Sequence, residues 1–557
     1  MQSSYKPQAL LALITAAALA PFLNKAFYVD DPLFIWMAQQ IVRHPLNPYG
    51  FDVNWSSFTQ PMSAVMQNPP LCSYYIAAIG SIFGWSEMSL HAAFLFWATM
   101  SILGTFALAQ RFCEVERRAP ASPASQEIRP PDKRANAAPF QAALFTLFTP
   151  IFLVSATTVM CDVMMLALWI WALEFWLAGL DRRQWWRFLV SAALISAAAL
   201  TKYFGIALLP LLAVYTLGRG RRFAIYLAFL LIPLAVISNY ELISEEKYGH
   251  ALFSAAMMAS SSISSATRPS HVAQLLMGLA FGGGCLISAC FFAPLGRGKI
   301  LLAGTIVFAL FAVAFKFLIV SWVYLEGSKT LVWLEGGLFA TIAVGILALA
   351  ATNLAQQKNP EALLLTLWVF GTFAFATWFN WSITARTMLP MAPAVALLTI
   401  AQFEQRQKRR WSKYAPLLAA AILSILIAAA DYRQANGARA AARLYQQRFD
   451  AEASDVRLLG HWGFQYYMEQ WGAKPFDRNR PELVRGSILL GSLSDPDLAQ
   501  IPRQKVRTVD ETVLSAFPFV ATSRIGSGAS FYSSFAGPLP WIIKKIPPER
   551  YYAAHIR

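Results

Sequence analysis

Two adjacent carboxylates, Asp30 and Asp31, stand just after the first long apolar segment of the chain. Only 14% of the 557 residues are charged, so a pair of acids beside a hydrophobic stretch is unusual. Neighbouring carboxylates repel each other near a region of low dielectric, and they are usually kept there for catalysis, ion handling or a strong partner. A carboxylate so placed can take a proton from a reacting hydroxyl or amine. As an alternative, Asp31 could be the N-cap of the next helix, with Pro32 at its first position.

Further polar residues stand at the predicted ends of other apolar segments. Asp162 begins one segment, Lys202 and Tyr203 form a turn between two others, and Arg386 begins a late one. Cations placed in this way can stabilise the negative charge on a departing phosphate. Structural alternatives remain open: Asp162 could cap a helix, Lys202 and Arg386 could extend towards lipid headgroups, and Asn68 could only mark a helix start.

The composition indicates a polytopic α-helical membrane protein. The chain is 57% hydrophobic, and its charged fraction is far below the roughly 25% of soluble proteins. Apolar runs long enough to cross a bilayer recur between residues 8 and 430. These runs are continuous rather than alternating, which excludes a membrane β-barrel. The net charge of +16 collects at segment ends, as in cytoplasmic loops, so we expect no nucleic-acid partner.

The distribution of Lys and Arg predicts about 13 transmembrane helices, with the N-terminus in the cytoplasm and the C-terminus outside. The predicted spans are 8–23, 88–110, 139–156, 163–180, 188–201, 204–217, a seventh ending near Tyr240, 272–293, 300–320, 331–352, 362–380, 387–402 and 415–430. This topology brings Asp30, Asp31, Asp162, Lys202 and Arg386 to the outer face from distant parts of the sequence.

Two domains are predicted. Residues 1–430 form the membrane domain. Within it, residues 24–86 form a first extracytoplasmic loop with juxtamembrane helices, and residues 111–138 form a cytoplasmic linker loop. Residues 431–557 are polar and predict a small extracytoplasmic α/β domain. Its predicted strands and helix are Val456–Leu459, Ser487–Leu490, Phe517–Ala521 and Phe464–Trp471. The chain has no evident internal repeat, which disfavours a secondary transporter.

The early motifs resemble those of the GT-C glycosyltransferases that use polyprenyl-phosphate sugars. The likeness is to glycosyltransferase family 39, with its protein O-mannosyltransferases and lipid A aminoarabinose transferases. In that family an Asp-Glu pair follows the first span, and here Asp30 matches the catalytic Asp while Asp31 replaces the Glu. A Pro-Pro-Leu motif then precedes a juxtamembrane helix, matched by Asn68-Pro69-Pro70-Leu71. Some members carry an acidic metal ligand where this chain has Asn68, so a divalent metal remains an open question.

Later motifs follow in the family's order. An acidic residue opens the fourth span in the family, and Asp162 stands at that position here. The family's Leu-Thr-Lys turn is matched by Leu200-Thr201-Lys202, and its Arg-Tyr-x-x-Pro-x-x-Pro by Arg386–Pro393, with Thr387 in place of Tyr. The resemblance covers most of residues 8–430 and implies a GT-C type of membrane fold.

The resemblance implies an inverting transferase in the cell membrane. Its donor would be a polyprenyl-phosphate sugar, on undecaprenyl phosphate if the host is a bacterium, and its acceptor a protein, lipid or glycan. Asp30 would be the general base, Asp31 or Asp162 would position the acceptor or hold a cation, and Lys202 and Arg386 would bind the phosphate. Asn68 and Tyr203 are further candidates for substrate binding. A flippase of a lipid-linked sugar and a noncatalytic scaffold are the alternatives.

Overall fold

A computed structural model describes most of the chain. The described ranges are 6–55, 57–66, 68–118, 137–262, 270–293, 298–320, 325–406, 414–449, 455–479, 486–492 and 506–556. Most of the predicted linker loop 111–138 lies outside these ranges.

Helices form the greater part of the described structure. They are α1 (Lys6–Leu19), α2 (Asp31–Arg43), α3 (Met62–Val65), α4 (Leu71–Phe83), α5 (Glu87–Arg118), α6 (Ala137–Leu147), α7 (Pro150–Ser155), α8 (Cys161–Arg182), α9 (Trp185–Thr201), α10 (Leu208–Arg219), α11 (Leu231–Tyr248), α12 (Leu252–Ser262), α13 (His271–Cys285), α14 (Gly298–Leu318), α15 (Lys329–Gln357), α16 (Pro360–Ala374), α17 (Ala385–Met388), α18 (Ala392–Arg406), α19 (Ala415–Phe449) and α20 (Trp462–Trp471).

Within the described ranges, eight helical segments are long and apolar enough to cross a membrane, and six shorter apolar helices accompany them. This confirms a multi-pass helical membrane protein, whereas the predicted number of 13 spans stays a prediction. The helices α13 to α16, α18 and α19 begin within a few residues of the last six predicted spans. The third predicted span is two helices, α6 and α7, because the chain breaks before Pro150, which lacks an N–H donor.

Helix α8 carries charged groups at both of its ends. Asp162 lies in its first turn, and Glu174 and Asp181 lie in its last turns. Asp162 and Asp181 are 19 residues apart, or about 28 Å along an α-helix, which is close to the thickness of the hydrocarbon core. At the Asp181 end, ion pairs of Arg111 and Arg219 join α5, α8, α10 and α16. The two charged groups therefore mark opposite ends of one span.

The C-terminal part contains the predicted α/β domain, with an open mixed sheet. Its strands include β3 (Val456–Leu459), β4 (Lys474–Pro475), β5 (Ile488–Ser492), β6 (Val506–Leu514) and β11 (Glu549–Ile556), in the order β4-β3-β5-β11-β6. The pairs of β3 with β4 and β5 are parallel, and those of β11 with β5 and β6 are antiparallel. The remaining described strands form three short pairs. One pair lies in the early loop and consists of β1 (Asp52–Asn54) and β2 (Thr59–Pro61). The other two pairs lie in the C-terminal part and are β7 (Val520–Ala521) with β10 (Ile542–Ile543), and β8 (Ser523–Arg524) with β9 (Ala529–Ser530).

Two boundaries differ from the predictions. Helix α19 continues without a break to Phe449, although the last span was predicted to end at residue 430. Its second half packs on the sheet and on α20 through small and aromatic residues such as Ala441 and Tyr445. The seventh span was predicted to end near Tyr240, but the described chain stays largely helical beyond it, because α11 ends only at Tyr248 and α12 follows.

Candidate active site

Four of the residues singled out in the sequence meet in one chain of ion pairs. Arg386 Nη2 donates a hydrogen bond to Asp30 Oδ2 at 2.6 Å. The other terminal nitrogen of Arg386 lies 3.7 Å from Asp162 Oδ2, and Lys202 Nζ donates to Asp162 Oδ1 at 2.6 Å. The order is therefore Asp30, Arg386, Asp162 and Lys202, and we call this set the ion-pair chain. The separated motifs of the sequence thus form one site.

The members of the ion-pair chain differ in burial. The side chain of Asp162 is 1% exposed, those of Arg386 and Lys202 are 13% and 17% exposed, and that of Asp30 is 28% exposed. Asp162 Oδ2 and Arg386 Nε are two of the buried polar atoms of the described residues that have no hydrogen-bond partner. Arg386 Nε carries an N–H, so it can still donate to an acceptor. Asp30 is the member of the chain that a substrate reaches most easily.

The loop before Asp30 is held by bonds from distant parts of the chain. Val29 has a φ of 49°, which is strained for a β-branched residue. The backbone N–H of Ala26 donates to Asn436 Oδ1 at 3.0 Å, and that of Phe27 donates to Tyr467 Oη at 2.9 Å. Lys25 is fully buried and pairs with Asp431 at 2.5 Å. Both α19 and the C-terminal domain therefore fix the position of Asp30.

Asp31 lies beside the ion-pair chain but faces the protein interior. Its Oδ2 accepts a hydrogen bond from the N–H of Tyr28 at 2.9 Å, and its Oδ1 accepts one from the N–H of Val159 at 2.8 Å. Burial raises the pKa of its carboxyl to about 7, although Lys25 and the two N–H donors act against that shift. Asp31 therefore joins the Asp30 loop to the segment before α8.

The predicted capping roles of Asp31 and Asp162 are wrong. Asp30 occupies the N-cap position of α2, one residue earlier than predicted, and its side chain makes no capping bond. Met160 occupies the N-cap position of α8, and Asp162 binds Lys202 instead of capping the helix. A buried carboxylate needs a charged or hydrogen-bonding partner, which is Lys202 for Asp162 and two backbone N–H groups for Asp31.

Lys202 is directed to Asp162 by the packing of α9 on α8. Helix α9 ends at Thr201, and the backbone at Lys202 becomes extended. The next turn approaches the helix closely, since a Cβ on Gly205 would lie 2.4 Å from the carbonyl carbon of Ala198. Gly205 is thus required where the chain turns back after Lys202.

Tyr203 belongs to a neighbouring group of tyrosines, and the main chain of Asn68 contacts this group. The ring of Tyr203 lies 6.4 Å from that of Tyr240, whose hydroxyl is 3.1 Å from the hydroxyl of Tyr49. Tyr49 in turn donates to the main-chain carbonyl of Asn68 at 2.8 Å. Since Tyr203 follows Lys202 directly, this tyrosine group adjoins the ion-pair chain.

Two residues that the sequence analysis did not select support the site. The ring of Tyr532 lies 5.4 Å from the guanidinium carbon of Arg386, and its hydroxyl donates to Asp431 at 2.9 Å. Asp431 had a visible signal, because it is an acid directly after an apolar span. Tyr532 had none, because it is one of many aromatic residues in a polar segment.

The acidic residues of the site do not fit a divalent metal. Both Asp30 and Asp162 are paired with cations, and a metal ion between them would be repelled by Arg386 and Lys202. Within the described ranges, no group of three His, Cys, Asp or Glu residues is arranged to hold a metal. The positive charge beside the two acids is instead supplied by Arg386 and Lys202.

The ion-pair chain places a partly exposed carboxylate and two cations within one site. Asp30 offers a partly exposed carboxylate for proton abstraction. Arg386 and Lys202 offer two cations that charge-assisted hydrogen bonds can join to phosphate oxygens. Within the ion-pair chain, the two acids neutralise these cations and hold them in place.

One segment of the chain matches a known family. Residues 134–241 match the family model described as "Dolichyl-phosphate-mannose-protein mannosyltransferase". Asp162 and Lys202 lie inside the matched segment, whereas Asp30 and Arg386 lie outside it. The match confirms the resemblance to GT-C glycosyltransferases that the motifs indicate. A comparison with curated proteins finds no match.

The chain is also similar to solved structures. ArnT from Cupriavidus metallidurans bound to undecaprenyl phosphate is 15% identical, with 88% of this chain and 94% of that chain covered and a TM-score of 0.43. The archaeal oligosaccharyltransferase AglB from Archaeoglobus fulgidus, in complex with an inhibitory peptide and a dolichol-phosphate, is 13% identical, with 88% and 70% covered and a TM-score of 0.48.

Proposed function

Because residues 134–241 match a family of dolichyl-phosphate-mannose transferases, we propose that this chain is a membrane glycosyltransferase. Its donor is a sugar on a polyprenyl phosphate, which is undecaprenyl phosphate if the host is a bacterium. Its acceptor is a protein, lipid or glycan on the extracytoplasmic side of the membrane. The observation that carries the proposal is the ion-pair chain, which puts a carboxylate base and two phosphate-binding cations in contact.

In the proposed reaction, Asp30 removes the proton from the acceptor hydroxyl or amine. The acceptor attacks the anomeric carbon of the donor, and the bond between that carbon and the phosphate oxygen breaks. The electron pair of this bond leaves with the lipid phosphate. The acceptor attacks from the face opposite the phosphate, so the configuration at the anomeric carbon is inverted. The proton finishes on Asp30, and the new glycosyl bond finishes on the acceptor.

Arg386 and Lys202 stabilise the departing phosphate. Negative charge develops on the phosphate oxygen as the bond breaks, and preorganised cations lower the energy of that state. Donor binding also changes the ion-pair chain, because the phosphate competes with Asp30 for Arg386. The carboxylate is then released to act as a base at the moment when the donor is in place.

The remaining candidates have supporting roles. Asp162 holds Lys202 and Arg386 in register, and Asp31 fixes the Asp30 loop against the segment before α8. Asn68 and Tyr203 contribute to a polar wall next to Lys202 that binds the substrate. In this proposal the N-terminus is cytoplasmic, and the C-terminal α/β domain covers the site from outside.

The test follows the fate of the donor in cells. Membranes from cells that produce the wild-type chain, the Asp30→Asn variant or no chain are analysed for polyprenyl-phosphate sugars by mass spectrometry. We expect the wild type to consume one such lipid and to release free polyprenyl phosphate, and the variant to leave that lipid intact. A flippase would instead move the lipid with its glycosyl bond intact. Consumption of the donor by Asp30→Asn at the wild-type rate would refute the proposed base.

A further inference from the structure

The segment that carries Arg386 is paired with the C-terminal domain. The backbone N–H of Ala385 donates to the carbonyl of Phe531 at 2.9 Å, and the N–H of Ser534 donates to the carbonyl of Ile383 at 2.8 Å. The N–H of Ile383 also donates to the hydroxyl of Ser534 at 3.2 Å. These three bonds clamp the residues directly before Arg386. The start of α17 is therefore held from outside the membrane domain.

Tyr532 lies in the middle of this clamp. It is almost fully buried, and the guanidinium carbon of Arg386 lies 5.4 Å from the centre of its ring. The ring of Tyr28 contacts it edge to face at 5.9 Å, and its hydroxyl donates to Asp431 Oδ2 at 2.9 Å. A ring fixed on both sides offers the guanidinium a rigid surface with a favourable electrostatic face.

Asp431 is itself a fixed point. It lies in α19 and is fully buried, with Lys25 at 2.5 Å and the hydroxyl of Thr522 at 2.7 Å. The hydroxyl of Tyr532 is therefore attached to a part of α19 that cannot move freely. The ring of Tyr532 is thereby held in a fixed position beside Arg386.

We propose that Tyr532 is a positioning residue, through which the C-terminal domain orients Arg386 for the lipid phosphate. This inference rests on the proposed function, because it assigns Tyr532 a role only through the phosphate contact of Arg386. It gives the C-terminal domain a part in the reaction that its sequence does not suggest. Tyr532 itself touches neither the donor nor the acceptor.

The experiment measures the affinity for undecaprenyl phosphate, with the full chain in lipid nanodiscs and native mass spectrometry as the readout. We expect Tyr532→Leu to raise the Kd about tenfold, in keeping with a partly desolvated cation–π contact. Tyr532→Phe keeps the ring but loses the bond to Asp431, so we expect a smaller rise in the Kd, within about threefold of the wild type. In an Arg386→Ala background, Tyr532→Leu should change the Kd by less than about twofold, because a residue that acts through Arg386 has nothing left to orient.

Thr522→Val is the matched control. It also removes a hydrogen bond to Asp431, but Thr522 lies on the other oxygen of that carboxylate. We expect its Kd to stay within about twofold of the wild type, so a general disturbance around Asp431 is separated from the loss of the ring. If Tyr532→Leu fails to fold, phenylalanines of increasing fluorination at position 532 keep the ring shape and weaken its electrostatic face. The Kd should then rise with each fluorine.

The outcomes separate this inference from the proposed function. If Arg386→Ala itself leaves the Kd unchanged, the proposed phosphate site is wrong. If Arg386→Ala weakens binding but Tyr532→Leu adds its full effect in that background, the phosphate site stands and the positioning role is refuted. A Kd that is insensitive to ring fluorination, or a Tyr532→Phe effect as large as that of Tyr532→Leu, also refutes it.

Discussion

Arg386 donates a hydrogen bond to Asp30 at 2.6 Å, although 356 residues separate them in sequence. The proposed base is thus the hydrogen-bond partner of the arginine that we propose to bind the phosphate. Asp30 is also the most exposed member of the ion-pair chain, and in the proposed function the substrate approaches from its side. A donor phosphate that takes over Arg386 would leave Asp30 free beside the anomeric carbon. In the proposed reaction, donor binding therefore comes before proton abstraction by Asp30.

Asp30→Asn should abolish transfer while leaving the protein folded. Asn is almost the same size as Asp but cannot accept the acceptor's proton, and general base catalysis contributes about 10²–10⁴-fold to a rate. We expect the rate of donor consumption in purified membranes to fall by at least about a hundredfold. The thermal unfolding of the detergent-solubilised protein should change little, because Asp30 is partly exposed.

Asp52→Asn is the control for this substitution. Asp52 is an exposed carboxylate in the same extramembrane stretch, on β1. We expect its rate to match that of the wild type. A loss of activity in Asp52→Asn comparable to that in Asp30→Asn would show that charge in this stretch matters in general and would remove the special role of Asp30.

Lys202→Ala should weaken the binding of undecaprenyl phosphate. Hydrogen bonds to charged groups contribute about 1.5–3 kcal/mol, so the Kd should rise by about tenfold or more. Lys202→Arg keeps the positive charge, and we expect it to retain part of the affinity. Native mass spectrometry of the protein in nanodiscs measures both values. The exposed Lys545 supplies a control, and Lys545→Ala should have the wild-type Kd; equal effects of the two alanine variants would argue against a specific phosphate site.

The membrane architecture was predictable because hydropathy and charge bias act locally. The runs that predicted the late spans are the same residues that form α13 to α16, and the strand Val456–Leu459 is found with its predicted bounds. The convergence of Asp30, Asp162, Lys202 and Arg386 was also accessible, since a topology assigns each span end to a face. Which cation pairs with which acid was not predictable, because the partner of each acid depends on packing in three dimensions.

The support of the site was not predictable for a different reason. The ring of Tyr532 contacts Arg386 in α17, and its hydroxyl donates to Asp431 in α19. No local sequence pattern encodes such long-range contacts. The end of α19 was missed because hydrophobicity stops at residue 430 while the helix continues on small residues. Ala438 and Ala441 pack against a sheet that the span prediction did not include.

Asp31 should make stability depend on pH near neutrality. Its pKa is about 7 in the folded protein against an ordinary value of 3.8, chiefly because of burial. A carboxyl whose pKa is raised by folding binds its proton more tightly in the folded state. Its contribution to stability is complete below the ordinary pKa and is lost as the pH rises through about 7.

The measurement is the melting temperature of the detergent-solubilised protein between about pH 5 and pH 8. The wild type should lose stability across this range more steeply than Asp31→Asn, whose amide does not titrate. The gap between the two melting temperatures should therefore narrow as the pH rises. Parallel curves for the two proteins would show that the Asp31 carboxyl does not change its protonation in this range.

Breaking the buried pair of Lys25 and Asp431 should cost much more than breaking an exposed pair. Lys25→Met leaves the Asp431 carboxylate without a countercharge in a site that excludes water, which costs about 3–5 kcal/mol. Lys25→Met with Asp431→Asn removes both charges and should recover part of that loss, since a neutral buried pair has less desolvation to overcome. Arg550→Ala, which breaks the exposed pair of Arg550 with Glu511, should cost less than about 1 kcal/mol. Denaturant unfolding of the solubilised protein measures all three values, and additive losses in the double variant would show that the two side chains do not act as a pair.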